Sequence, residues 1–309
     1  VMKYAEEWKT TIRRMGRWVD MSDQDGSASG GENYGDHSYK TMDLPFMESV
    51  WWVFKQLWDK GLIYEGKKAM HICPRCVTPL SNFEVTQGYK DVKDLSVTAK
   101  FKVTKDTRYK KQINSKFQIP DDSNLYILAW TTTPWTLPGN VLLAVGEDID
   151  YVIVKHKDNG EEYFICAKER LGEVFKSQEK DECLVESTLK GKDLVGLEYE
   201  PLFPYFADTE NAFKVVSADF VTTEDGTGVV HIAPAFGEDD YQVGMREKTG
   251  WVQHVNMEGK FIPEVTDFAG MEVKPTEDPT RIDVEIIKYL AGKGLLFSKL
   301  KFEHSYPHC

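Results

Sequence analysis

Two short strings hold most of the residues that could do chemistry. The first is Trp130-Thr131-Thr132-Thr133-Pro134-Trp135-Thr136-Leu137-Pro138-Gly139-Asn140. Side chains alternate along a strand, so Thr131 and Thr133 are expected on one face and Thr132 on the other. Pro134 biases Thr133 toward extended backbone. A strand that ends in three hydroxyls, walled by Trp130 and Trp135, can position a water or bind a hydroxyl-rich ligand. Threonines also favour strands with no functional reason, but the flanking Trp, Pro and Asn140 make this string less ordinary. The second is Gly226-Thr227-Gly228-Val229-Val230-His231-Ile232-Ala233-Pro234-Ala235-Phe236-Gly237-Glu238-Asp239-Asp240-Tyr241. His231 would share a strand face with Val229 and Ala233, where a packed core histidine is the plain alternative. Three carboxylates follow Gly237 where a helix should begin. One or two serve the positive helix end, which leaves a third to meet a cationic ligand.

Cys73-Pro74-Arg75-Cys76 is half of a metal site, since tetrahedral zinc needs two further ligands. Cys309, behind His304-Ser305-Tyr306-Pro307-His308, is the third candidate, with His304 or His308 as weaker substitutes. The set Cys73, Cys76 and Cys309 is incomplete, and two reduced thiols without metal are the expected state of this chain. Other patterns fail. Gly61-Leu62-Ile63-Tyr64-Glu65-Gly66-Lys67-Lys68 has P-loop spacing but an apolar centre, and Lys68 stands where the magnesium-binding Ser or Thr belongs. His71-Ile72-Cys73-Pro74-Arg75-Cys76 lacks the glutamate of a zinc deaminase. Neither HExxH nor GxSxG occurs.

These strings need a scaffold, and the composition supplies one. With 309 residues, 41% hydrophobic and 12% aromatic, the chain can bury a substantial core. No apolar stretch is long enough for a membrane span. Five scattered cysteines exclude a disulfide scaffold, which points to a cytoplasmic protein, expected to be monomeric. A net charge of −12 disfavours gripping a long duplex. Two basic segments run against that average: Lys3, Lys9, Arg13, Arg14 and Arg17, and the run from Lys100 to Lys116. They read as solvated faces where a nucleic-acid end could still dock.

Helices are expected over 1–19, from Asp43-Leu44-Pro45 to Gly61, near Glu238–Lys248 and over Thr280–Gly292. The second carries an apolar face of Phe46, Val50, Phe54, Leu57 and Trp58. Residues 22–37 have almost no apolar content and read as a flexible loop. Strand-like runs follow at Ser96–Val103, Leu125–Thr133, Val141–Val145, Tyr151–His156, Glu162–Ala167, Lys214–Val221 and Gly228–Ala233. The expected class is α+β, with a sheet curled into a barrel-like body and helical flanks. Three parts are expected: a helical lead-in with the CxxC half-site (1–94), a β-rich body (95–275), and a return helix and strand ending at the truncated zinc half-site (276–309).

Together the two strings resemble the editing domain of the isoleucyl-tRNA synthetases. The first looks like that family's threonine-rich peptide, where valyl and leucyl relatives typically carry Thr-Thr-Arg-Pro; Thr133 and Trp135 therefore favour the isoleucine branch. Gly-Thr-Gly-Val-Val-His-Ile-Ala-Pro followed by Asp-Asp-Tyr resembles the second motif. Phe46–Leu57 and Pro79–Glu84 are similar to the segment leading in, and Tyr306–Cys309 to the exit. The ATP-binding signatures His-Ile-Gly-His and Lys-Met-Ser-Lys-Ser are absent from these residues. The resemblance therefore implies hydrolysis of mischarged Val-tRNA(Ile) without amino-acid activation, and a barrel-like editing fold of the valyl/isoleucyl/leucyl type. It casts Asp240 as the holder of the substrate ammonium and His231 as a wall against the extra methyl of isoleucine. Trp130, Trp135 and Phe236 supply apolar walls, while Thr131, Thr132, Thr133 and Asn140 orient the terminal ribose and the water. The implied partner is the 3′-terminal adenosine of tRNA(Ile) with its valyl ester; no cofactor is needed for editing, with zinc confined to the parent protein. The alternatives are a zinc-ribbon binding module without hydrolytic activity, and an esterase using a covalent threonine ester.

Overall fold

A computed structural model describes residues 2–17, 41, 44–104, 119–120, 123–156, 162–176 and 183–308. The expected loop at 22–37, the basic run beyond residue 104, the Asp43 cap and Cys309 lie outside the described residues. The chain divides into two compact units, Val1–Lys67 and Lys68–Cys309.

The first unit contains helix α1 (Met2–Arg14) and helix α2 (Leu44–Asp59). Pro45 is tolerated in the first turn of α2 because no intrahelical partner awaits its missing N–H. The helix closes at Gly61, whose φ of +67° suits glycine, with Leu62 N–H donating to Leu57 O and Gly61 N–H to Trp58 O. The expected apolar face is present, but no residue of α2 is buried.

The second unit begins with a hairpin of β1 (Ile72–Cys73) and β2 (Thr78–Pro79) and a short helix α3 (Asn82–Gln87). Ser81 and Glu84 form a reciprocal capping box at the start of α3. Strands β3 (Tyr89–Lys102), β4 (Asn124–Thr131), β5 (Leu142–Val145), β6 (Asp150–His156) and β7 (Glu162–Ala167) follow. Next come the single turn α4 (Leu171–Val174), strands β8 (Cys183–Lys190), β9 (Lys214–Ser217) and β10 (Val229–Ile232), helices α5 (Glu238–Glu247) and α6 (Arg281–Gly292), and strand β11 (Leu296–Pro307). Six strands pair in the order β11-β3-β4-β7-β6-β8 and three in the order β10-β5-β9. Bridges Val103–Tyr199 and Glu198–Lys214 tie the end of β3 to β9. The α+β class is as expected.

The core lies under the six-stranded sheet. Val97, Ala99 and Phe101 of β3, Ile127 and Ala129 of β4, Ile153 of β6 and Ile165 of β7 pack with Ile282, Ile286 and Leu290 of α6. Full burial of each such aliphatic side chain is worth about 1.5–3 kcal/mol, so α6 is anchored by its own apolar stripe. Three boundaries differ from expectation. Strand β3 begins at Tyr89, not Ser96, because its polar first half pairs with β11 in register from Pro307–Tyr89 to Lys301–Leu95. Strand β4 ends at Thr131 and β9 at Ser217. Strand β8 had no clear apolar alternation and is held by its ladder to β6.

Candidate functional site

At the end of β4 the backbone turns into a 3-10 helix, Pro134–Gly139, with Pro134 in its first position. A 3-10 turn places side chains three apart on one side, and this brings Thr136 back over Thr133. A row of hydroxyls results. Thr131 Oγ1 accepts from Thr133 N–H at 3.0 Å and lies 3.2 Å from Thr133 Oγ1, which is 3.2 Å from Thr136 Oγ1. Thr136 Oγ1 donates to Thr133 O at 2.8 Å and lies 2.9 Å from His231 Nε2. Thr136 stood in the first string without an assigned role. Its signal, the i,i+3 spacing from Thr133, becomes readable only once Pro134 is known to start a helical turn.

His231 reaches that row because β10 is aimed at it. Gly226 and Gly228, with φ of +67° and +73°, start the strand in a backbone region that glycine favours. A Cβ on Gly228 would also collide with Ala167. Arg170 fixes the approach by donating to Gly226 O and Glu224 O, and Tyr151 OH donates to Gly228 O at 2.7 Å. His231 is 8% exposed, and burial, with the nearby His254, pushes its pKa down to about 4. The ring is therefore neutral near pH 7. Thr136 gives its one proton to Thr133 O, so His231 Nε2–H donates to Thr136 and Nδ1 keeps a buried lone pair without a partner.

The three carboxylates after Gly237 separate. Glu238 and Asp239 are exposed in the first turn of α5, where the helix dipole favours them. Asp240 turns back, and its Oδ2 accepts from Ala233 N–H at 2.9 Å, at the end of the strand that carries His231. Its Oδ1 has no hydrogen bond among the described residues. Burial pushes the Asp240 carboxyl up to about 6; the Ala233 N–H opposes that, and repulsion from Asp239 adds to it. A half-buried carboxylate with one open oxygen is suited to a cation.

Trp135 and Phe236 meet edge to face, with ring centroids 5.3 Å apart. They join the two strings and give the site one apolar side. His254 backs them: its Nε2 is 2.9 Å from Trp135 O and its ring centroid is 4.6 Å from that of Phe236. His254 was not anticipated, because nothing around Gln253-His254-Val255 distinguishes it in sequence.

Two expected contributors are placed differently. Asn140 is buried, with Nδ2 donating to Leu142 O at 2.8 Å and Oδ1 accepting from Tyr199 OH at 2.7 Å. Both ends of its amide are engaged inside the fold, so it holds the turn rather than facing a ribose. Trp130 packs edge-on against Phe302 and lies under Gly226, where a Cβ would press on its ring. It supports β10 from the face opposite Thr131. Thr132, one residue past the end of β4, is half-buried and outside the hydroxyl row.

Cys73 is buried and Cys76 exposed, on the turn of the β1–β2 hairpin. Among the described residues no three His, Cys, Asp or Glu side chains converge as a metal set, and Cys309 is outside them. Two thiolates do not fill a tetrahedral site. The substitute His304 is engaged elsewhere, with Nε2 3.1 Å from Asp94 Oδ2 in a cluster completed by Lys274 and Asp283. His308 Nδ1 lies 3.0 Å from Tyr306 O. Of the basic run, Lys100 and Lys102 pair with Glu162 and Glu200, which leaves them poorly suited to phosphates. No helix among the described residues is long and apolar enough to cross a membrane.

The profile of the tRNA synthetases class I (I, L, M and V) matches residues 1–282. The isoleucine–tRNA ligase of Bdellovibrio bacteriovorus is 47% identical over 311 residues, covering 100% of this chain and 26% of that protein. The isoleucine–tRNA ligase of Treponema denticola is 45% identical over 328 residues, covering 100% of this chain and 28% of its own length. The chain thus spans about a quarter of the relatives it matches. Among solved structures, the P. knowlesi cytosolic leucyl-tRNA synthetase editing domain aligns at a TM-score of 0.40 and 17% identity, over 50% of this chain and 63% of that one.

Proposed function

This chain belongs to the tRNA synthetases of class I (I, L, M and V), and we propose that it is the proofreading portion of an isoleucyl-tRNA synthetase, hydrolysing the ester of Val-tRNA(Ile). The observation that carries this reading is the meeting of both strings at one place. Hydroxyls from Thr131, Thr133 and Thr136 end on a neutral His231, and the open oxygen of Asp240 lies at the end of the same strand.

The roles follow from chemistry. Asp240 Oδ1 receives the α-ammonium of the aminoacyl group in a charge-assisted bond. Trp135 and Phe236 face the aliphatic side chain, and Thr136 with His231 forms the polar floor that limits its size. Thr131 and Thr133 orient the terminal ribose and the attacking water, with Thr132 outside the hydroxyl row. The water oxygen bonds to the ester carbonyl carbon, the bond to the ribose oxygen breaks, and the water's proton goes to that ribose oxygen. A ring with its pKa near 4 is a weak base at pH 7, so His231 does not take the proton. The neighbouring ribose hydroxyl relays it, and holding the water in line does the rest. The reading needs no threonine ester: His231, the ring beside the hydroxyl row, donates to Thr136 and is a weak base at pH 7.

Such a site answers a physical limit. A pocket that accepts isoleucine gains only about 1–3 kcal/mol over valine from one methylene, a figure for which this amino-acid pair is itself a standard instance. A second, smaller pocket reverses the sieve. The test is deacylation of Val-tRNA(Ile) and Ile-tRNA(Ile) by the chain and by Asp240→Ala. Faster loss of valine, abolished by the substitution, is expected. No hydrolysis at saturating protein, with no binding of a valyl-adenosine analogue, would overturn the reading in favour of a binding module.

A further inference from the structure

Trp135 is the apolar side of the site, and what holds it lies outside both strings. His254 is 0% exposed and touches Trp135 by two routes. Its Nε2 lies 2.9 Å from Trp135 O. A carbonyl only accepts, so Nε2 carries the proton and Nδ1 is left with a buried, unpartnered lone pair. The ring also meets Phe236 edge-on at 4.6 Å and lies tilted against Phe261 at 5.7 Å, and Phe236 in turn meets the Trp135 indole at 5.3 Å. The contacts close a loop from the Trp135 carbonyl through His254 and Phe236 to the Trp135 ring. The Nδ1 edge fills the space left by Gly139, where a Cβ would collide with it. An apolar side chain of similar shape would fill that space without an orphan nitrogen. What histidine adds is the Nε2–H bond to the turn that carries both Trp135 and Thr136.

We propose that His254 is a positioning residue that fixes the Trp135 wall and the Pro134–Gly139 turn, and so sets which aliphatic side chain the site admits. The inference rests on the deacylase reading above and extends it to the origin of selectivity. Its chemistry requires a donor at the Nε2 position. Glutamine supplies one at about the same reach, while leucine fills the space without a donor and asparagine is too short.

The experiment compares His254→Gln with His254→Leu in the full chain. One readout is the ratio of Val-tRNA(Ile) to Ile-tRNA(Ile) hydrolysis, with kcat and KM separated. The other is the indole N–H resonance of Trp135, identified among the eight tryptophans by its loss in Trp135→Phe. His254→Leu is expected to lower the Val/Ile ratio about tenfold and to shift or broaden the Trp135 resonance, while His254→Gln restores both. If His254→Leu does not fold, His254→Asn replaces it in the comparison with glutamine. An unmoved Trp135 resonance and an unchanged ratio in the donorless variant would overturn the proposal. If the unsubstituted chain hydrolyses neither ester at saturating protein and binds no valyl-adenosine analogue, the deacylase reading fails. The indole resonance then still decides whether His254 holds the wall.

Discussion

The turn at Thr131–Gly139 and the turn at Cys73–Cys76 begin as signals of the same kind, a few residues spaced for chemistry. The fold treats them differently. Thr131 ends a strand flanked by β3 and β7, and its turn receives His231 and His254 from segments about 100 residues away in sequence. Cys73 and Cys76 sit on a hairpin of two-residue strands, one thiol buried and one exposed, and no further ligand converges on them among the described residues. Spacing nominates a motif. Groups brought from distant sequence, in a dry setting, turn it into a site.

The sharpest way to break this contrast is Asp240→Ala. Truncating one partner of a buried charge pair costs about 2–5 kcal/mol, which predicts a loss of Val-tRNA(Ile) hydrolysis of roughly 30-fold to several thousand-fold. A deacylation rate within threefold of the parent chain would remove Asp240 from the site. Thr136→Val keeps the shape but strands the His231 donor, while Thr133 O keeps the backbone N–H of residue 136. At about 1–3 kcal/mol for an unsatisfied buried group, deacylation should fall about 5- to 150-fold. Thr132→Val, outside the hydroxyl row, should stay within threefold, and equal losses would deny that row a special role.

A pH profile sharpens the contrast further. Asp240 must be ionised to hold an ammonium, and burial has raised its pKa to about 6. Below that value kcat/KM should rise about tenfold per pH unit, and it should be flat from pH 7 to 8. The sign follows from the acid form being inactive; a His231 base would instead place the rise near pH 4. A profile already flat from pH 5 would count against Asp240. The smallest effect is expected at the other turn. Cys76→Ser, at an exposed thiol, should change hydrolysis by less than about twofold, as surface substitutions usually do. A large loss in that variant would favour the cysteine-centred binding module.

Much of the scaffold was legible because it rests on local rules. The helices near 2–14, 44–59, 238–247 and 281–292 follow from 3.6-residue periodicity and stop signals, and the strands from short β-branched runs between breakers. The first half of β3 and all of β8 were not legible. Their sequences are polar or irregular, and ladders to distant strands define them. At the candidate site, Thr131, Thr133, His231 and Asp240 stand out in the sequence by type and context. Thr136, His254, and the structural duties of Asn140 and Trp130 did not.

The sequence by itself determined which side chains were available, that a turn follows the threonine-rich strand at Pro134, that a strand lies within Gly228–Ala233, and that acidic residues crowd the start of α5. These are consequences of covalent geometry and local hydrogen bonding. Only the tertiary structure decided that Asp240 would leave the helix end for Ala233 N–H and that His231 would be neutral. It also closed Asn140 onto Tyr199 and set an isolated histidine behind Trp135. Each of those outcomes depends on which groups are removed from water together. Burial and long-range pairing are properties of the packed chain, and no local window of sequence contains them.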